Sequence, residues 1–135
     1  MARRAVTRTE LDSALELVRP GTPLTAVQTR DTVRTTLRWF AQIHEGHTVE
    51  VRVPPHAAVQ AVDGPRHTRG TPPNVIEMSP AVWLDLVAGR LTWEEAVEGG
   101  KLHASGIRAD LAGLLPLTGR EPLPGQESLP GREPW

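Results

Sequence analysis

The densest group of reactive side chains lies in Arg66-His67-Thr68-Arg69-Gly70-Thr71-Pro72-Pro73-Asn74. Two guanidiniums, an imidazole, hydroxyls and a carboxamide around Gly70 have the makings of an anion nest. Backbone amides would meet the charge, Arg66 and Arg69 would neutralise it, and Thr68, Thr71 and Asn74 would add hydrogen bonds. The competing reading is a stiff structural turn, locked by Gly64-Pro65 and Pro72-Pro73, with Arg69 paired to a carboxylate such as Glu77 or Asp110. Neither reading supplies a reaction, because no second residue completes a mechanism with His67.

Other chemistries fare worse. His44, His47, His56, His67 and His103 fall on separate elements without a metal-ligand spacing, and there is no cysteine to supply a thiolate or a disulfide. Ser79 reads as a helix cap, and Ser105-Gly106 lacks the glycine-flanked elbow of a serine hydrolase. Gly99-Gly100 and Gly106 do not have the order of a dinucleotide loop. Arg30, Arg34 and Arg38 recur at helical spacing and invite a phosphate reading, although such a stripe more often marks a solvated face.

The elements that would carry these residues follow from periodicity. Thr9 is expected to cap a first helix with Leu11, Leu15 and Val18 on its apolar side, stopped at Pro20-Gly21. A second helix is expected from Asp31 to Glu45, with Val33, Leu37, Phe40, Ala41 and His44 inward. His47 to Val53 alternates, placing Val49, Val51 and Val53 on a buried face and Thr48, Glu50 and Arg52 on a wet one. Further strands are expected at Ala57–Val62 and Asn74–Met78. Short links there favour antiparallel pairing.

Ser79-Pro80 starts a third helix carrying Val82, Trp83, Leu86 and Val87, ended by Gly89. Thr92-Trp93-Glu94-Glu95 has the form of a capping box and opens a helix with Trp93, Ala96 and Val97 inward. Leu102 and Ala104 mark a fourth strand, and a last short helix from Ala109 would bury Leu111, Leu114 and Leu115.

Length and composition bound the rest. A chain of 135 residues is one domain by length, and a formal net charge of -1 gives no whole-chain case for nucleic acid. No run approaches the ~20 apolar residues of a membrane span, and the basic start is interrupted by Glu10 before any leader-like apolar stretch. A soluble, cytoplasmic protein without a cofactor is expected. From Thr118 the sequence turns to Pro, Gly and Glu, with Gly-Arg-Glu-Pro repeated at Gly119 and Gly131, and reads as a disordered tail. The expected division is therefore 1–26, an N-terminal helix and linker; 27–117, the folded domain; and 118–135, the tail.

The order of these elements, with Ser79 to Trp93, Ala96-Val97, Gly100 to Gly106 and Ala109-Asp110-Leu111, resembles the sterol carrier protein fold. Val49 to Val62 with the His67–Asn74 block is similar to the short bacterial sterol-carrier orthologues of actinobacterial type. The resemblance implies an α/β (α+β) domain, a small and mostly antiparallel sheet of about four strands covered by helices. It also implies a non-catalytic lipid module that takes a sterol, fatty acid or acyl-CoA. Its pocket lining would be Phe40, Trp83, Leu86, Val87, Leu111, Leu114 and Leu115, and its polar loop Arg66, His67, Arg69, Gly70, Thr71 and Asn74. Pro-Pro breaks at Pro54 and Pro72 depart from the family pattern and shrink the sheet. The alternative is an accessory or structural domain with no lipid cargo, acting on a protein partner through the Arg66–Asn74 loop.

Overall fold

The computed structural model describes residues 4–64 and 74–117. Four helices and a four-stranded sheet form the expected small α/β layer: α1 (Arg8–Val18), α2 (Ala26–Ile43), β1 (Val49–Val53), β2 (Ala57–Ala61), β3 (Val75–Met78), α3 (Pro80–Ala88), α4 (Trp93–Glu98) and β4 (Leu102–Ser105). The strand order is β2-β1-β3-β4. Two of its ladders, β1 with β2 and β3 with β4, are antiparallel, and β1 with β3 is parallel.

That parallel pair departs from the pairing expected of short links, and β2 is the reason. The tight turn at Pro54-Pro55 sends β2 back along β1, with Val51 opposite Val59, so the chain leaves β2 at the end where β1 began. From there it need only cross the end of β1 to start β3 in the same direction, with Glu50 opposite Val75. No covering crossover is required, because β2 itself carries the chain back.

The helices begin earlier than expected. Thr7, not Thr9, caps α1: its hydroxyl accepts from the Glu10 amide at 3.1 Å while the Glu10 carboxylate accepts from the Thr7 amide at 2.9 Å. Val6 and Leu11, both buried, occupy the two staple positions around that cap. The second helix starts at Ala26 rather than Asp31, because Thr25 and Gln28 form the same reciprocal box. Ser79 and Thr92 cap α3 and α4 as expected.

Alternation places the core. Val49, Val51 and Val53 of β1 and Ile76 and Met78 of β3 face the helices and are buried. Val33, Leu37 and Phe40 of α2, and Trp83, Leu86 and Val87 of α3, meet them. Leu11, Leu15 and Val18 of α1 join the same cluster, so the short first helix docks against α2 and α3. The Arg90 guanidinium fastens it: Nη1 donates to the carbonyls of Val18 at 2.7 Å and Arg19 at 3.2 Å, while Nε pairs with Asp85 at 3.0 Å. A cation on two terminal carbonyls also opposes the partial negative charge of the helix end.

Three further expectations are corrected. Thr48 is buried rather than wet, because residues 62–64 fold over it; a Cβ on Gly64 would lie 3.0 Å from the Thr48 hydroxyl. Val97 is 48% exposed, since α4 is so short that Trp93 and Ala96 already fill its inner side. The terminal helix is absent: residues 112–114 form a turn in which Gly113 takes φ 85°, outside the helical region. Leu111 is nevertheless fully buried, and Leu114 and Leu115 are half-buried.

Candidate functional site

The helix-covered face of the sheet holds most of the expected pocket lining. Phe40 comes from the last turn of α2, and Trp83, Leu86 and Val87 from one side of α3, all over the valines of β1. Phe40 and Trp83 meet edge to face, with ring centroids 5.7 Å apart and planes at 89°. This is the favoured geometry for two aromatic quadrupoles. Trp83 Nε1 donates to Thr36 Oγ1 at 2.9 Å, and that hydroxyl donates to the Thr32 carbonyl at 2.7 Å. Thr36 is the polar atom that lets a tryptophan be buried here without an orphan N–H. Sequence periodicity passed over Thr36, although its place one turn before Phe40 on the inward stripe was a signal.

The structure thus brings Phe40, Trp83, Leu86, Val87 and Leu111 together in one cluster, with Leu114 and Leu115 packed on its margin. Phe40, Trp83, Val87 and Leu111 have 0% of their surface exposed and Leu86 has 1%. A side chain lining a void wide enough for water would expose surface to it, so these five are in contact on all sides. The margin is built differently. Past Leu111 the chain makes a turn and returns to α3 through the Leu117 amide, which donates to the Val87 carbonyl at 3.0 Å. Residues 111–117 themselves form neither a strand nor a helix.

Of the polar loop, Arg66, His67, Arg69, Gly70 and Thr71 lie outside the described residues. Asn74 does not. It is buried, its Nδ2 donates to the Thr48 carbonyl and its Oδ1 accepts from the Arg108 amide, both at 2.9 Å. Its own carbonyl accepts from the Glu50 amide at 2.9 Å. Asn74 is thus a clamp that joins the start of β3 to β1 and to the segment after β4.

The opposite face of the sheet carries no helix among the described residues and is largely polar. Across it, Ala58, Arg52, Glu77 and His103 align in one row, and Gln60, Glu50, Val75 and Ser105 in the next. Arg52 Nε donates to Glu50 at 3.0 Å. That hydrogen bond, then the Glu50 charge, raises the guanidinium above its ordinary value, with Glu77 adding a smaller push. Among the described residues no group of three or more His, Asp or Glu side chains could hold a metal ion. No helix there is long and apolar enough to cross a membrane.

A family model described as a bacterial SCP orthologue matches residues 25–117, well over half of the chain. The match runs from the cap of α2 to the residue that closes the chain onto α3. No curated protein matches the chain. With the four-stranded sheet and its helical cover as expected for that resemblance, the chain belongs to the bacterial orthologue family of sterol carrier proteins.

Proposed function

We propose that this chain is a non-catalytic lipid-binding module that takes an acyl chain or sterol-like hydrocarbon between its sheet and its helices. The observation that carries the reading is the interior itself. In a chain of the sterol carrier orthologue family, the layer around Phe40, Trp83, Leu86, Val87 and Leu111 is mostly apolar, its polar groups being the Thr36–Trp83 hydrogen bond and the His44 ring, 4.8 Å from that of Phe40. Because that layer is closed, cargo enters by displacing its margin. Leu114 and Leu115, half-buried and outside any helix or strand, are the side chains to yield, with the Arg66–Asn74 loop as a polar mouth. About a dozen buried methylenes supply about 10 kcal/mol, against a few kcal/mol for moving two half-buried leucines and the cost of association. Affinity is therefore expected to rise with chain length, by up to about 0.8 kcal/mol for each further methylene buried.

A fluorescent fatty acid titrated against the full chain, read through tryptophan emission, tests this. Saturable quenching of Trp83 with a long chain, weakening as the chain shortens, is expected. No saturable change at tens of micromolar (about −6 kcal/mol or weaker) would sink the carrier reading. The close packing of the interior favours one other reading, the accessory domain that works through a protein partner at Arg66–Asn74. It predicts that Arg69→Ala abolishes partner capture while fatty acid binding is nil in both chains.

A further inference from the structure

Arg34 and Arg38 stand one helical turn apart on α2, and neither points simply into solvent. Arg34 Nε donates to the His56 carbonyl at 3.2 Å, and Arg38 donates through Nη2 to the Arg4 carbonyl. With His56 and with Ala57, Ala58 and Val59 of β2, the two arginines line a cleft of about 390 Å³. The cleft holds two cations and no carboxylate. Arg4, Arg8, Arg30, Arg52 and Arg90 each meet a carboxylate at 2.9–3.3 Å. Arg34 and Arg38 meet none among the described residues, which is true also of Arg19 and Arg108, but only these two stand together at one cleft, and no acidic side chain lines it. A guanidinium has five N–H donors in a planar fork. Here one donor of each is spent on a backbone carbonyl, which fixes the side chain without neutralising it. The remaining donors of both forks border the same space.

We propose that this cleft is a binding site for a phosphate-class oxyanion, a phosphomonoester or pyrophosphate group. Two fixed cations match a dianion in charge. A tetrahedral group also offers acceptors to both forks at once, where a single carboxylate is saturated by one. The floor suits close approach, because Ala57 and Ala58 are small, and β2 is an edge strand whose outward amides have no partner strand among the described residues. His56, half-buried at the turn, adds a ring N–H. The site is separate from the hydrocarbon interior, since none of its lining residues is among those proposed to hold cargo.

The oxyanion could arrive as a free metabolite or on a lipid headgroup, and two assays separate these sources. Calorimetry of the full chain with inorganic pyrophosphate and with glycerol 3-phosphate reads the free group. Flotation with phosphatidylcholine vesicles, with and without phosphatidic acid, reads the headgroup. Binding in either assay that weakens by about tenfold or more in Arg34→Gln and in Arg38→Gln is expected. Arg30→Gln, on the same stripe but paired with Asp31, is expected to stay within about twofold of the unaltered chain. Circular dichroism of each variant shows that the fold persists. Absence of binding in both assays overturns the proposal. Equal weakening by Arg30→Gln overturns it too, since that would be bulk charge and not a site. Neither assay depends on tryptophan emission, so the oxyanion site and the lipid cargo can fail independently.

Discussion

Replacing Thr36 with valine tests the closed interior at its polar contact with Trp83. The two side chains have nearly the same shape, and Thr36 is fully buried beside a fully buried Trp83. Valine removes the oxygen that accepts from Trp83 Nε1 at 2.9 Å and leaves the indole N–H in an apolar setting. An orphaned buried donor costs about 1–3 kcal/mol, most of it desolvation that water no longer repays. Urea unfolding followed by tryptophan emission should show that loss as a lower midpoint with an unchanged slope. Trp83→Phe is destabilising for another reason, the void left by the smaller ring, so the double variant should lose less than the sum. A coupling of about 1 kcal/mol is expected from this cycle. The same substitution weakens the closed state more than an opened, hydrated one, so fatty acid binding should tighten by several-fold. A Thr36→Val loss below about 0.5 kcal/mol would refute the reasoning, because it would mean that the indole N–H reaches water or another acceptor and the layer is not dry.

Other outcomes follow from single contacts. Gly46→Ala should cost more than about 3 kcal/mol or prevent folding, since Gly46 has φ 150° and a Cβ there would sit 2.0 Å from the Val62 carbonyl oxygen; thermal unfolding reads it. Asn74→Ala should cost about 2–4 kcal/mol in urea, because it strips partners from the buried Thr48 carbonyl and from the Arg108 amide together. Glu10 is lowered from 4.5 to about 2, chiefly by its hydrogen bond from Arg4 and next by the Thr7 amide. Its folded value lies below its unfolded one, so its contribution is present above about pH 4.5 and is lost as pH falls towards 2. Glu10→Gln should therefore flatten the acid limb of the stability profile between those values, with little change in its slope near neutrality.

Much of the architecture was readable because several signals agreed at one place. At Ser79-Pro80 the cap, the N1 proline and the apolar run of α3 coincide, and the helix is where they put it. The valines of β1 alternate strictly and bury strictly. Where signals competed, tertiary structure decided. Thr7 and Thr9 both have a carboxylate three residues on, and burial of Val6 selects Thr7. Leu111, Leu114 and Leu115 have helical spacing, yet Gly113 turns the chain before a helix can form. Strand direction depended on where β2 delivers the chain, which no local pattern records. The arginine stripe was visible as spacing, but its neighbours, the His56 carbonyl and an absence of acid in the cleft, come from elements distant in sequence. The interior cluster was legible for the same reason that β1 was, since apolar periodicity is read one element at a time; its closure was not, since that depends on how the elements meet.

The Arg90 contact to α1 bears on where this protein can be divided. The region shared with the family starts at Thr25, beyond the first helix, yet Leu11, Leu15 and Val18 belong to the same core as Phe40 and Trp83. A chain trimmed to the shared region would keep Arg90 and lose the two carbonyls it holds, and the flank of α2 and α3 now covered by α1 would be wetted. Kinship and folding thus mark out units of different length here. A relative without this helix must shield that flank with some other segment, and that substitute is the first thing to look for when such relatives are compared.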